Sequence, residues 1–283
     1  MTRSRLPAVV RLVHPFPVAT VTIMSLFLLV ITSTGGLSQA RLLQALLAVV
    51  MSQIAIGSLN DYLDRLSDQV GQAHKPIPAG EINPPLALAI ALGALVAFVV
   101  VAFWSGLATL IVLGLGTAFG LAYDLWLKPT PLSVLGYLGG FLCLLAWVWI
   151  LSGRDWMWLP ALFPGAALLI IAAHIAQSMA DIEADVSLGQ RGLAVLLGPH
   201  RSLRAVTSLS LLAAVAGLAL CLGSRSLPST VILAAGVVLV LAAGRLSRGR
   251  ELTRDLRMQI FHVTAPGMAL IGLGSLLALI HIS

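Results

Sequence analysis

Long apolar runs separated by short polar stretches make up most of the chain. They show neither the strict alternation of a half-buried strand nor the single apolar stripe of a helix lying on a soluble core. Leu, Ala, Val and Gly follow one another with no polar face, the pattern of a helix that is apolar all round. A bilayer crossing takes roughly 20 such residues. The pattern predicts nine crossings, at 17–34, 42–59, 84–104, 107–122, 131–152, 157–178, 204–222, 228–244 and 260–281. Hydrocarbon cannot satisfy exposed backbone groups, so a span is a helix or part of a closed barrel, and runs without alternation select the helix. The expected fold class is an all-α integral membrane protein of about nine transmembrane helices, forming one transmembrane domain over residues 1–283.

Composition agrees with that solvent. The chain is 59% hydrophobic and 10% charged, where soluble domains carry about 25% charged residues, and its mean hydropathy is +1.00. The first run follows Arg3, Arg5 and Arg11, as a signal peptide would, but it is longer than a secretory core and further spans follow it. Cys143 and Cys221 both fall inside spans, which reads as packed thiols and not as a disulfide or metal site.

Charge orients the chain. With the N-terminus in the cytoplasm, 14 of the 17 Lys and Arg residues fall on that side, leaving Arg41, Arg154 and Arg225 on the other. Ten of the eleven acids share the cytoplasmic side, Asp155 being the exception, and an odd number of spans puts the C-terminus outside. Trp104, Trp147, Trp149, Trp156 and Trp158 lie near the outer ends, as an interfacial belt would. The basic balance therefore reads as topology and contact with the lipid bilayer, not as nucleic-acid binding.

Topology does not account for two acidic clusters. Asn60, Asp61, Asp64 and Asp68 follow the second span; Asp181, Glu183 and Asp185 follow the sixth. If each span's helix continues into its loop, Asn60, Asp64 and Asp68 form one stripe and Asp181 with Asp185 another, while Glu183 points elsewhere. Like charges one turn apart repel. A divalent cation is the natural remedy, and all-oxygen ligands suit Mg²⁺ held by one or two carboxylates plus substrate phosphates. The clusters are four spans apart, and each is followed by Gly-Gln and a base: Gly71-Gln72 with Lys75, and Gly189-Gln190-Arg191. That resembles a duplicated helical half, an arrangement that often sets a site where the halves meet. Two solvated acidic loops sharing a spacing are the plainer alternative.

Asn60-Asp61-Tyr62-Leu63-Asp64-Arg65-Leu66-Ser67-Asp68 resembles the NDxxDxxxD motif of the intramembrane UbiA-type prenyltransferases, and Asp181-Ile182-Glu183-Ala184-Asp185 resembles their second DxxxD motif. Lys75-Pro76-Ile77-Pro78-Ala79-Gly80 is similar to the family's basic-Pro-x-x-Ser/Ala-Gly stretch. Tyr123 to Lys128 is similar to its Tyr-x-x-x-x-Lys element, and Gly189 with Leu193 to Gly198 to the tail after the second motif. The resemblance covers essentially the whole chain. It implies a helical bundle with a central cavity and two pseudo-repeated halves, in which an allylic isoprenyl diphosphate is held on Mg²⁺ by the two aspartate motifs. On that resemblance Asn60, Asp64, Asp68, Asp181 and Asp185 bind metal and diphosphate. Lys75, Lys128 and Arg191 contact phosphate oxygens and stabilise departing pyrophosphate. Tyr123 contacts the diphosphate or steadies an allylic cation, unless it is simply an interfacial tyrosine. Asp61 is a supporting residue or an acceptor-side base. A lipophilic, aromatic or cyclic acceptor captures the cation while apolar helices exclude water.

Two departures concern that acceptor. Members that prenylate 4-hydroxybenzoate often carry Arg two helical turns before the first motif, where this chain has Gln53; an amide lacks the charge for a carboxylate. His14-Pro15 stands where an Arg-Pro pair is frequent. The equivalent step back from Asp181 reaches His174, near Gln177 and Ser178, so Gln53 and His174 are candidate acceptor-binding residues; packing alone would also explain His174. A terpene cyclase on the same scaffold stays open, since it would ionise substrate at the same site. A CDP-alcohol phosphotransferase does not fit, because Arg65 replaces the glycine of its motif. A transporter or ion-binding protein would prefer carboxylates nearer the bilayer midplane.

Overall fold

The computed structural model describes residues 7–247 and 249–283. Arg3, Arg5 and Arg248 of the charge count lie outside them. The helices are α1 (Ala8–Leu12), α2 (Pro15–Thr32), α3 (Gln39–Asp64), α4 (Asp68–Gly71), α5 (Pro84–Ser105), α6 (Gly114–Ala122), α7 (Ser133–Leu151), α8 (Leu159–Ser178), α9 (Ile182–Ser187), α10 (Leu193–Ser224), α11 (Leu227–Leu246) and α12 (Arg254–Ile282). Wider π-type turns, Thr109–Leu113 and Tyr123–Leu127, flank α6. Among the described residues nine helical segments are long and apolar enough to span a membrane, in the order expected. The chain is thus a multi-pass, all-helical membrane protein.

Local chemistry starts and stops these helices. Asn83 accepts a hydrogen bond from the Leu86 amide and Pro84 opens α5, where its missing N–H costs nothing. Ser38, Ser226 and Thr253 cap α3, α11 and α12 in the same way. α10 is broken at Gly198, whose φ of 70° and ψ of 169° are open essentially to glycine alone, and Pro199 starts its second segment. The seventh span therefore starts well before the expected 204 but with a bend.

Two compact units divide the chain. The first holds residues up to Trp126 together with Cys143–Arg154, and the second holds Leu127–Leu142 with Asp155–Ser283, so each contains one acidic cluster. In the first unit α3 packs on α5, and both helices bury alanines: Ala45, Ala48 and Ala55 on one, Ala87, Ala91 and Ala94 on the other. Lipid tails are as apolar as leucine, so close approach of small residues holds membrane helices together where a hydrophobic drive is lacking. Ser52 and Thr117 share a 2.8 Å hydrogen bond from α3 to α6. Trp147 and Trp149 are fully buried, and the Trp147 indole donates to Thr109 Oγ1 at 3.0 Å. The expected belt therefore loses these two: the Trp147 indole N–H finds its partner inside, and the Arg154 guanidinium lies 5.7 Å from the Trp149 ring centroid. Trp104 and Trp156 do stay largely exposed.

In the second unit α11 meets α12 across glycines. A Cβ added at Gly236 would lie 2.5 Å from the Gly267 carbonyl oxygen, and one at Gly274 would lie 2.7 Å from that of Ser229. α8 and α10 pack beside them around Ala172, Ile175, Ala213 and Ile271.

Candidate active-site clusters

The first cluster is built at the C-terminus of α3. Carboxylates there face the negative end of the helix dipole, so Asp61 and Asp64 raise the local cost unless a cation answers them. The continuous stripe expected through Asp68 stops at Asp64. Arg65 turns back, its Nη1 donating to the Tyr62 carbonyl at 2.7 Å, and Ser67 Oγ donates to the Asp64 carbonyl at 2.9 Å. Asp68 then opens α4 and swings inward. Lys75 meets it: the ammonium lies 2.8 Å from Asp68 Oδ2 and 2.9 Å from Asp61 Oδ1. Burial by itself would lower the Lys75 pKa, but the hydrogen bonds to Asp68 and Asp61 and their charges hold it above the ordinary lysine range. The loop carrying Lys75 is anchored by Ile77 and Ile82, buried with Leu12 and Ala87.

His14 completes this group. Its backbone is left-handed, φ 53°, and its Nε2 lies 2.9 Å from Asp61 Oδ1. The ring packs over Gly57, where an added Cβ would come within 3.1 Å of it. Asp61 is 2% exposed and its second oxygen, Oδ2, is buried without a hydrogen-bond partner. Asn60 Nδ2 donates to Asp124 Oδ1 at 3.0 Å, bringing the Tyr123-Asp124 turn to the motif. That turn is one of the π-type segments, which recur at functional positions. Gln53 is half-buried on α3, two turns before Asn60 on one unbroken helix.

The second cluster begins where α8 tightens into a 3₁₀ turn, Met179–Asp181, before α9. The helix again stops short of an uninterrupted stripe, yet Asp185 feels the charges of both Asp181 and Lys128. Arg254 Nη2 lies 3.3 Å from Asp181 Oδ1. Glu183 does point elsewhere: it pairs with Arg257, whose guanidinium is buried and also donates to the Leu252 carbonyl at 2.8 Å. Arg191 is exposed, and its amide donates to the Pro129 carbonyl at 2.9 Å. His174 is buried, 2.9 Å from Ser133 Oγ, with the Tyr137 ring centroid 4.5 Å from its own. Tyr137 in turn donates to Gln177 Oε1 at 3.3 Å.

Sequence reasoning missed the pairing of His14 with Asp61, the arginines of α12 and the Ser133–Tyr137 support of His174. Arg254 and Arg257 were visible in the charge count, three residues apart at the start of a helix. Nothing local tied them to the second motif.

Among the described residues no three His, Cys, Asp or Glu side chains form a metal cage. The donor set nevertheless fits Mg²⁺. Asp181 and Asp185 are two carboxylates near enough to act on each other, and Mg²⁺ usually takes one or two carboxylates with phosphates and water making up the rest.

Fold and clusters define a helical membrane protein with paired carboxylate groups at span ends. Residues 19–265 match the UbiA prenyltransferase family, and the chain belongs to that family. A digeranylgeranylglyceryl phosphate synthase of Natronomonas pharaonis is 28% identical over 173 residues, covering 60% of this chain and 62% of its own length. A protoheme IX farnesyltransferase of Ruegeria pomeroyi is 32% identical over 146 residues, 44% of this chain and 45% of its own length. The chain thus spans less than two thirds of either relative. Among solved structures, a UbiA homolog from Archaeoglobus fulgidus bound to GPP and Mg²⁺ has a TM-score of 0.76 at 17% identity, covering 95% of this chain and 99% of that one. A structure of digeranylgeranylglyceryl phosphate synthase has a TM-score of 0.76 at 19% identity, covering 96% and 98%. At such identities the likeness shows the fold.

Proposed function

We propose that this protein, acting as one transmembrane domain, transfers a prenyl group from an allylic isoprenyl diphosphate to a lipophilic, aromatic or cyclic acceptor and releases pyrophosphate. Family membership supports the reading, as do the GPP, DMAPP and Mg²⁺ bound by structural neighbours. The observation that carries it is the partly buried Lys75 ammonium held by the buried Asp61 and Asp68 carboxylates of the first motif. An apolar helix end is a costly place for such charges unless they serve an ionic ligand.

Asn60, Asp64, Asp68, Asp181 and Asp185 are the residues that would hold Mg²⁺, which when bound supplies Lewis-acid charge to the diphosphate. Lys75, Lys128 and Arg191 contact phosphate oxygens and stabilise the leaving group's charge. Asp61, with His14, fixes the Lys75 ammonium in place. Tyr123 contacts the diphosphate or faces the allylic cation. Gln53 and His174 line the acceptor side, and the apolar helices keep water from the cation. The N-terminus and both motif loops face the cytoplasm and the C-terminus faces outward.

The test is pyrophosphate release from geranyl, farnesyl and geranylgeranyl diphosphates by protein in lipid, with the organic products identified by mass spectrometry. Mg²⁺-dependent release that Asp64→Asn abolishes is expected. Release that persists in both Asp64→Asn and Asp181→Asn would remove the site assignment, and cyclised products would favour a cyclase.

A further inference from the structure

An open cleft of about 310 Å³ lies between α10 and α11, and none of the residues assigned above lines it, although Leu203 on its wall packs in one buried cluster with Met179 and Ile182 beside Asp181. Leu203, Arg204, Thr207 and Ser208 line it from the first turns of α10 after the Gly198 break, and Leu241, Gly244, Arg245 and Ser247 from the end of α11. No carboxylate lines it, and neither arginine has an ion-pair partner among the described residues. Arg245 suits the negative end of α11's dipole, which would account for one cation. It does not account for Arg204, which lines the same cleft from the neighbouring helix; both arginines are exposed, and an anion between them would draw on both charges.

The hydroxyls sort by what they can offer. Thr207 Oγ1 donates to the Leu203 carbonyl at 3.0 Å and Ser247 Oγ to the Gly244 carbonyl at 2.8 Å, so both present only lone pairs to the cavity. Ser208 makes no hydrogen bond among the described residues and can donate. The donors are therefore Arg204, Arg245 and Ser208, a set that suits phosphate oxygens. Leu203 and Leu241 add apolar wall, and Leu241 is 41% exposed on the side of a spanning helix. An ion free in water has no use for that wall, whereas a lipid has.

We propose that this cavity binds the phosphate headgroup of an anionic membrane phospholipid, its acyl chains running along Leu241. The two arginines and Ser208 hold the phosphate. The Thr207 and Ser247 oxygens accept from hydroxyls of a headgroup such as glycerol. Basic pockets between helix ends are known to take anionic headgroups.

Delipidated full-length protein in neutral detergent, titrated with phosphatidylglycerol or phosphatidylcholine and read by native mass spectrometry, tests this. Phosphatidylglycerol should form a saturable one-lipid complex that phosphatidylcholine does not. Arg204→Gln with Arg245→Gln should weaken it about thirtyfold, at roughly tenfold or less per arginine near a membrane surface. Ser208→Val should weaken it with charge unchanged, and Arg201→Gln, exposed and outside the cavity lining, should leave it as it was. Equal binding of the two lipids, or of phosphatidylglycerol to wild type and the double variant, would overturn the site. Stabilisation by inorganic phosphate alone equal to that by phosphatidylglycerol would overturn the lipid and leave a free-phosphate site.

Discussion

Single side chains divide here into those that neutralise and those that remain for chemistry. Lys75 answers two buried carboxylates at once, and removing one partner of a buried ion group costs about 3–5 kcal/mol, because the other charges stay buried. Lys75→Met should therefore lower the unfolding temperature in detergent markedly as well as abolish turnover. Asp64→Asn should abolish pyrophosphate release while the protein stays folded, as a cooperative unfolding transition in detergent would show. The second motif offers a similar contrast. Asp181→Asn should abolish pyrophosphate release, whereas Glu183→Gln, whose partner Arg257 keeps its bond to the Leu252 carbonyl, should retain most of it. A loss at Glu183 as deep as at Asp181 would show that both acids serve the substrate.

Helices in this chain approach one another through what they lack. Gly236 on α11 faces the backbone of Gly267 and Ile271 on α12 at distances no Cβ can occupy. Backbone cannot swing aside as a long side chain can, so Gly236→Ala should cost about 1–3 kcal/mol as overpacking, seen as a lower unfolding temperature with Mg²⁺ dependence of activity unchanged. Gly93 on α5 has open space around it and is the control. Gly→Ala there should be neutral or stabilising, since alanine is the better helix former by about 1 kcal/mol. Equal effects at the two positions would refute the close α11–α12 contact. The spans were readable because an all-round apolar helix in lipid is a strong local signal. Their last turns were not. The same hydropathy continues to a helix that simply runs on, and only Arg65 and Ser67 folding back on carbonyls ended α3 before Asp68.

At the scale of the molecule, each compact unit contributes one acidic cluster, and the proposed activity needs both. Chelation by EDTA should therefore stop pyrophosphate release reversibly, with Mg²⁺ restoring it and Ca²⁺ doing so poorly, since Mg²⁺ demands a tighter octahedral shell. Release unaffected by EDTA would remove the metal from the reading. Both motifs were legible as motifs because their spacing is carried by the chain itself. The cations that meet them were not: His14 reaches Asp61 across 47 residues and Arg254 reaches Asp181 across 73. Trp147 and Trp149 were misplaced for a related reason, since an interfacial and a buried indole look alike until a partner such as Thr109 is located.

The amino-acid sequence by itself determined the solvent, the nine apolar segments and the two sets of acids at their ends, because hydropathy and motif spacing are properties of short stretches of chain. Tertiary structure alone decided which cation lies against which carboxylate, which tryptophans turn inward and where two arginines share a cavity. Those depend on the ends of separate helices meeting, and the packing of small residues between helices, not any local pattern, brings those ends together.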